Sequence, residues 1–226
     1  LPFSSATMPS CVMTAIRLLD TGLLPARRNV AMTAALVELR RLGRIPDTLR
    51  FHRYPRSVLL GRTQTARQVA NLASCANAGI EIARRVTGGG AVYMSPGVLA
   101  WEIVMDRRRL GASQADIGSR ICRAVAQGLS ELGVAVRHGP PNDLVIGAHK
   151  LGGASGFVDG TTLLYQGTVI VEVDFDAMAA ALAPAGEDIA QARQTLRERL
   201  TRLVDHIVPP PMAGVAKAIR EGLAGA

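Results

Sequence analysis

The chain has 226 residues, 48% of them hydrophobic and only 4% aromatic, and a formal net charge of +8. That length buries one sizeable core or two smaller ones, built here from Val, Leu, Ile and Ala rather than from rings. Cys11, Cys75 and Cys122 are odd in number and lack a C-x-x-C pair, His52, His138, His149 and His206 lack metal-ligand spacing, and no apolar run is long enough to span a bilayer, so a disulfide framework, a zinc site and a membrane span are excluded.

Residues before Met8 or Met13 show no secretory pattern and are set apart from the fold. Val12 to Leu19 predicts an opening strand. Asn29 is placed to cap a helix running to Leu42, with Ala31, Ala34, Ala35, Val37 and Leu39 inside it and Gly43 as its stop. Thr48 to Tyr54 and Ser57 to Leu60 read as a strand pair broken at Pro55. A short helix ends near Gly79, then strands run from Glu81 to Val86, Ala91 to Met94 and Val98 to Asp106. Asp116 to Leu132 is the clearest helix: Ile117, Ile121, Val125 and Leu129 form one stripe, which is core, and Gly133 ends it.

Strands resume at Val134 to Arg137, Leu144 to Ile146, Leu151 to Gly156, Thr161 to Gln166 and Thr168 to Val173. Asp176 is placed to cap a short helix to about Ala183. From Ile189 the chain reads as helical, broken at Pro209 to Pro211, with a last helix from Ala213 to Leu223. This order predicts an α+β fold, a mixed β-sheet flanked by helices. It is expected to form one domain over 1–226, with a core at about 13–183, a helical segment at about 187–226 and no large accessory domain.

Two segments carry chemistry. Arg84-Arg85-Val86-Thr87-Gly88-Gly89-Gly90-Ala91-Val92-Tyr93 sets three glycines between a strand and a return to β-forming residues. Glycines let backbone N–H groups approach a ligand, successive N–H groups form an anion-binding concavity, and Arg85 beside them is a candidate bidentate clamp. Taken alone, the run reads first as a tight hairpin turn next to solvated arginines. It is neither a P-loop nor a G-x-G-x-x-G fingerprint, since no Lys-Ser/Thr follows and Tyr93 stands where the third glycine belongs. The second segment holds Lys150, one of only two lysines among 26 basic residues, the other being Lys217 on a solvent-facing helical pattern. A lysine kept in so Arg-rich a chain points to a need for a compact ammonium rather than a planar fork.

Together these segments resemble the catalytic core of lipoate–protein ligases, within the biotin/lipoate ligase superfamily. The resemblance rests on Arg84 to Tyr93, on Asn142-Asp143-Leu144 and on Lys150 to Ser155. Asn29-Val30-Ala31, Gly61-Arg62-Thr63-Gln64 and Gly167-Thr168 add weaker matches in the expected order, so it spans about residues 15 to 183. It implies ATP-dependent attachment of lipoate or octanoate to a lysine of a lipoyl carrier domain, through an acyl-adenylate. That carrier would belong to a 2-oxoacid dehydrogenase, the glycine cleavage system or a related protein.

Under that resemblance Lys150 and Arg85 are catalytic, and Arg85, Gly88, Gly89, Gly90, Ala91, Val92, Tyr93, Asn142, Asp143 and Lys150 bind ATP and the acyl-adenylate. Gly61, Arg62, Tyr93, Leu151, Gly153, Gly167 and Thr168 line the acyl site. No protein cage for a metal is expected, only Mg²⁺ near Asn142 and Asp143. ATP and an acidic carrier account for the positive charge, because no interleaved aromatics or nucleic-acid motif accompany it. The expected compartment is the cytoplasm, and the partners exclude nucleic acid and membrane.

One departure stands out: Met94-Ser95 replaces the family's usual His-Asp. Two alternatives stay open. An octanoyltransferase from acyl carrier protein would need a cysteine near the lysine strand, and Arg137 to Lys150 has none. A non-catalytic lipoyl- or nucleotide-binding module would draw on Met94-Ser95. A biotin ligase would show a Gly-Arg-Gly-Arg-type loop, which is absent. The chain is expected to be either self-sufficient, with a loop as its lid, or dependent on an accessory ligase subunit; the basic segment from Asp188 to Ala226 favours the first.

Overall fold

The computed structural model describes residues 16–110 and 113–225. Strands β1 (Arg17–Leu23), β2 (Thr48–Arg53), β3 (Ser57–Leu60), β4 (Glu81–Arg84), β5 (Val92–Met94), β6 (Val98–Asp106), β7 (Val136–Gly139), β8 (Asp143–Ile146), β9 (His149–Asp159) and β10 (Thr162–Ile170) form two sheets. The larger has the order β1-β2-β6-β10-β9-β8-β7, with β1 parallel to β2 and the other pairs antiparallel. The smaller is β4-β3-β5, with β3 parallel to β4. Helices α1 (Ala26–Arg41), α2 (Ala66–Val69), α3 (Leu72–Asn77), α4 (Gln114–Ser130), α5 (Phe175–Leu182), α6 (Ile189–Arg199) and α7 (Met212–Ala224) flank them. The expected mixed sheet with helices is what forms.

The α4 stripe seen in the sequence packs as core: Ile117, Ile121, Val125 and Leu129 join Phe51, Trp101, Ile103 and Tyr165 of the large sheet and Val215 and Ile219 of α7. β6 is buried along its whole length, as a central strand should be. Glu102, at its middle, lies opposite Arg50 on β2, and both side chains are fully buried. Arg50 donates to Glu102 at 2.9 Å and to Thr21 at 3.0 Å, and also to the Asn29 side chain; Thr33 donates to the second Glu102 oxygen at 2.8 Å. Burial raises the Glu102 pKa, against the pull of Arg50. Two charges out of water hold only because nearly every lone pair and proton is met.

Several expectations change. Asn29 does not cap α1, which begins at Ala26; it sits buried in the first turn and donates to the carbonyls of Leu24 and Arg53. A polar residue is tolerated there because the turn before α1 and strand β2 supply its partners. The inner face of α1 is accordingly Ala26, Asn29, Thr33, Leu36 and Val37, while Ala31, Ala34 and Ala35 face solvent. The two strands around Pro55 do not pair with each other, since the turn carries the chain from one sheet to the other. The strands expected at Thr161 to Gln166 and Thr168 to Val173 merge into one, β10, which is continuous through Gly167 and ends at Ile170. Asp174, not Asp176, caps α5; Asp176 instead pairs with Arg193 at 2.8 Å. The helical run from Ile189 stops at Arg199, before the prolines, because Leu200 bridges to Lys150 on β9. The opening strand begins at Arg17 among the described residues, and the expected positions Val12 to Ala15 lie outside them, as does Cys11.

Truncating one member of the buried pair leaves the other charge uncompensated. Glu102→Ala is expected to lower unfolding free energy by about 3–5 kcal/mol in urea denaturation, a loss that an exposed ion pair could not produce.

Candidate functional site

A cleft of about 450 Å³ opens between the two sheets. Its first wall is the glycine loop. The guanidinium of Arg85, only 9% exposed, holds that loop: Nη2 donates to the carbonyls of Gly88 and Gly90 at 2.7 Å each, Nη1 to Leu59 O at 2.9 Å and Nε to Thr87 Oγ1 at 3.1 Å. Burial lowers the Arg85 pKa, yet a guanidinium stays protonated in proteins. A bidentate clamp on a ligand would require breaking these bonds, so the expected clamp is corrected to a side chain that shapes the loop. Gly89 sits at φ +91°, where an L side chain is strained.

Fully buried Thr87 fastens the loop to the large sheet. Its Oγ1 also accepts from Gln166 Nε2 at 2.7 Å and shares a hydrogen bond with Ser155 Oγ at 3.0 Å. Beneath the loop, a Cβ on Gly61 would lie 2.0 Å from Gly89 O, so that position takes only glycine. Gln64 accepts from Gly61 N at 2.8 Å, and Arg84 donates to the carbonyls of Gly61 and Gln64 at 2.9 and 2.7 Å, fixing the turn on which the loop rests.

The second wall comes from β8 and β9. Their register shifts between Leu144, opposite Gly152, and Val145, opposite Lys150, so Leu151 is the extra residue of a bulge. Bulges re-aim side chains beside active sites. Lys150 Nζ pairs with Asp143 at 2.7 Å, both side chains a little over a third exposed, and a Cβ on Gly153 would come within 2.9 Å of Nζ. Glycine at 153 therefore leaves the ammonium its place. Asn142 accepts from Tyr165 Oη at 3.0 Å, and Tyr165 in turn lies 3.4 Å from Cys122 Sγ. Burial raises the pKa of Tyr165, so its hydroxyl keeps the proton that orients the Asn142 amide.

The cleft thus gathers Arg85, Gly89, Gly90, Ala91, Val92, Tyr93, Asn142, Asp143, Lys150, Gly153, Gly167 and Thr168. Four expected residues are absent from its lining. Gly88 turns its carbonyl to Arg85, Gly61 supports the loop from below, Arg62 stacks 5.5 Å over Phe157, and Leu151 is fully buried in the main core. Sequence reasoning missed Thr33 of α1, His52 of β2, Tyr54 just after β2, and Leu196, Arg199 and Leu200 from the C-terminal segment. The first three lie in stretches that read as ordinary helix and strand; no local signal marks them. A more open basin of about 650 Å³ lies beside Phe175, Arg202 and His206, but neither the glycine loop nor Lys150 lines it, and its size gives it no chemistry.

A family model described as the lipoyl protein ligase A/B catalytic domain matches residues 25–224. The chain is 31% identical over 195 residues to lipoate-protein ligase A subunit 1 of Thermoplasma acidophilum, covering 80% of this chain and 72% of that one. It is 28% identical over 198 residues to octanoyltransferase LipM of Moorella thermoacetica, covering 77% and 72%. Among solved structures, a bipartite lipoate protein ligase described with its E2 lipoyl domain, from T. acidophilum, superposes with a TM-score of 0.81 at 27% identity, covering 93% of this chain and 82% of that one. A lipoate-protein ligase A bound with ATP gives 0.78 at 26% identity, covering 93% and 84%.

The loop's dependence on its supports is measurable. Gly61→Ala is expected to push Gly89 off the turn and raise amide exchange across residues 87–91 at least about tenfold, while α4 stays protected. Thr87→Val strands the donors of Arg85 and Gln166 and should cost about 1–3 kcal/mol in denaturant titration.

Proposed function

This chain belongs to the lipoyl protein ligase A/B catalytic-domain family, and on that premise we propose that it activates lipoate or octanoate with ATP and transfers the acyl group to a lysine of a lipoyl carrier domain. The observation that carries this reading is the meeting of the glycine loop with the Lys150–Asp143 pair in one cleft. A carboxylate is a poor acyl donor until an oxygen of it displaces pyrophosphate from the α-phosphorus of ATP. Both reactants are anions, so fixed donors and cations must meet the charge where it gathers; removing one such donor typically costs about 2.7–4 kcal/mol.

Each residue has a part in that scheme. Backbone N–H groups at Gly89 and Gly90 face the phosphates, held by Arg85 from behind. Lys150 sits between the carboxylate and the α-phosphate, with Asp143 keeping the ammonium in position before the anions arrive. In the second step the carrier's neutral amine attacks the acyl carbon, the bond to the phosphate oxygen breaks so that AMP leaves, and the nitrogen passes its extra proton to water. Mg²⁺ suits this donor set only in part: Asp143 is the one carboxylate lining the cleft, and no cluster of three metal-ligating side chains occurs among the described residues. Phosphate oxygens and water would supply most of its ligands, consistent with how Mg²⁺ binds nucleotides.

The transferase reading has a relative in its favour, but it needs a thiolate. Among the described residues Cys75 and Cys122 are buried, burial pushes both thiols up, and neither lines the cleft. ATP-dependent activation is the reading these residues favour. Met94 forms part of the cleft's buried wall, so the replaced His-Asp pair gives the acyl slot an apolar surface rather than a polar contact.

Three results test the proposal. Pyrophosphate release should depend on lipoate or octanoate and should survive replacement of Cys11, Cys75 and Cys122 by Ser; acyl transfer from a carrier thioester without ATP would assign the transferase activity instead. Lys150→Ala should abolish adenylation and transfer together, and Lys150→Arg should restore little, because the wider fork does not fit a point-charge site backed by Gly153. Carrier acylation by the single chain with ATP, Mg²⁺ and acid is also expected, because α6 contributes Leu196 and Arg199 to the cleft. Product formed only after a second polypeptide is added would place the chain with the bipartite ligase.

A further inference from the structure

Tyr165 of β10 is 2% exposed, packs beside Trp101 and does not itself line the cleft. Its hydroxyl is nevertheless given a place by two elements. A Cβ on Gly118 of α4 would stand 2.8 Å from Tyr165 Oη, so glycine there leaves room for the phenol. One helical turn further along α4, Cys122 Sγ lies 3.4 Å from the same oxygen, and on its other side Oη donates to Asn142 Oδ1 at 3.0 Å.

The direction of this chain of hydrogen bonds follows from the strength of its members. Burial raises the pKa of the Cys122 thiol and of the Tyr165 phenol, so both keep their protons. Sulfur is a weak acceptor and an amide oxygen a good one. The phenol O–H therefore goes to the Asn142 carbonyl, and the thiol S–H points at the phenol oxygen. The reverse order would set the phenol O–H against the weakest acceptor of the three.

That direction decides which end of the amide Asn142 has to offer. Its backbone carbonyl accepts from Ala154 N at 2.8 Å, which fixes the residue against β9. The amide is planar, so with Oδ1 taken by Tyr165 the NH₂ group lies on the opposite edge. Asn142 is half-buried and lines the cleft, and its Nδ2 is neither bonded to a described residue nor shut away from solvent. The next residue, Asp143, pairs with Lys150 at 2.7 Å, and Lys150 Nζ fills the space beside Gly153, which is opposite Asp143. Two free N–H donors thus stand close to the ammonium. A flipped amide would place an oxygen there, which repels any anion that the ammonium draws in.

We propose that Tyr165 is a positioning residue for the adenylation step, which acts through Asn142 by turning the amide N–H groups, not the amide oxygen, to the phosphate that Lys150 meets. This rests on the reading that the cleft takes ATP. Cys122 supports the setting as the donor behind the phenol, and Gly118 as the space the phenol occupies. Hydrogen bonds to a charged oxygen are the strong ones, and an amide free to turn over forfeits part of that strength, here about tenfold in kcat/KM for ATP.

The experiment measures acid-dependent pyrophosphate release and calorimetric binding of ATP with Mg²⁺ for the wild-type chain, Tyr165→Phe, Asn142→Ala, the double variant and Asn142→Asp. Tyr165→Phe should lower kcat/KM for ATP about tenfold and leave KM for the acid unchanged. In the Asn142→Ala background the same substitution should cost less than about twofold, because the group through which it acts is gone. Asn142→Asp keeps an acceptor for Tyr165 but puts an oxygen in the place of Nδ2, and it should fall below Asn142→Ala. Equal losses from Tyr165→Phe in both backgrounds make the tyrosine merely structural and overturn the proposal; so does an Asn142→Asp variant that matches or exceeds Asn142→Ala. Thermal melting identifies any variant that fails to fold, and if Tyr165→Phe fails, Gly118→Ala, which crowds Oη from α4, takes its place in the cycle. Binding of ATP without pyrophosphate release overturns the ligase reading, while the binding ratios across the same variants still decide the role of Tyr165. No binding of ATP overturns both.

Discussion

Arg85 is the contact on which the site depends. Three successive glycines have no side chains with which to anchor themselves, and they lose more conformational freedom on ordering than any other residues. The Arg85 guanidinium supplies that anchor from inside, taking two carbonyls of the loop and one of β3. Thr87 completes the junction by binding Arg85 on one side and Gln166 and Ser155 of the large sheet on the other. The two sheets are thereby joined where the cleft lies between them. The loop turns the carbonyls of Gly88 and Gly90 inward to Arg85.

The opposite wall shows a similar economy of parts. The Leu151 bulge, the missing side chain at Gly153 and the Asp143 carboxylate together hold one ammonium. The C-terminal segment reaches the same strand: Thr201 N donates to Lys150 O at 2.9 Å, and Leu200 bridges to Lys150. The chain just after α6 is thus tied to the backbone of Lys150.

Beneath the cleft, the Arg50–Glu102–Thr33–Asn29 network makes a stiff polar floor on the α1 side of the sheet. Its cost in desolvation is offset only while every member is present. His52, one step along β2 from this network, shares its low-dielectric surroundings, and that is why a histidine there stays neutral and offers a hydrogen bond rather than a charge.

Much of this protein was legible in its residues. The order of elements followed from alternation, the apolar stripe of α4 and the glycines at turns, because those patterns are local and a strand or helix declares its period within a few residues. The Arg84–Tyr93 run and Lys150 stood out through backbone freedom and charge type, which are also local, and Asn142-Asp143 through the family resemblance alone. Tertiary structure alone decided what those residues face. It turned Arg85 from a ligand clamp into the loop's support, buried Leu151 next to an accessible Lys150, set Gly61 under Gly89, and brought His52, Thr33 and Leu196 into one cleft. Each of those outcomes depends on contacts between segments far apart in the chain, such as Thr87 with Gln166 and Lys150 with Leu200. Local sequence determines which hydrogen-bonding groups a segment carries; packing across the sheets determines which of them are already taken.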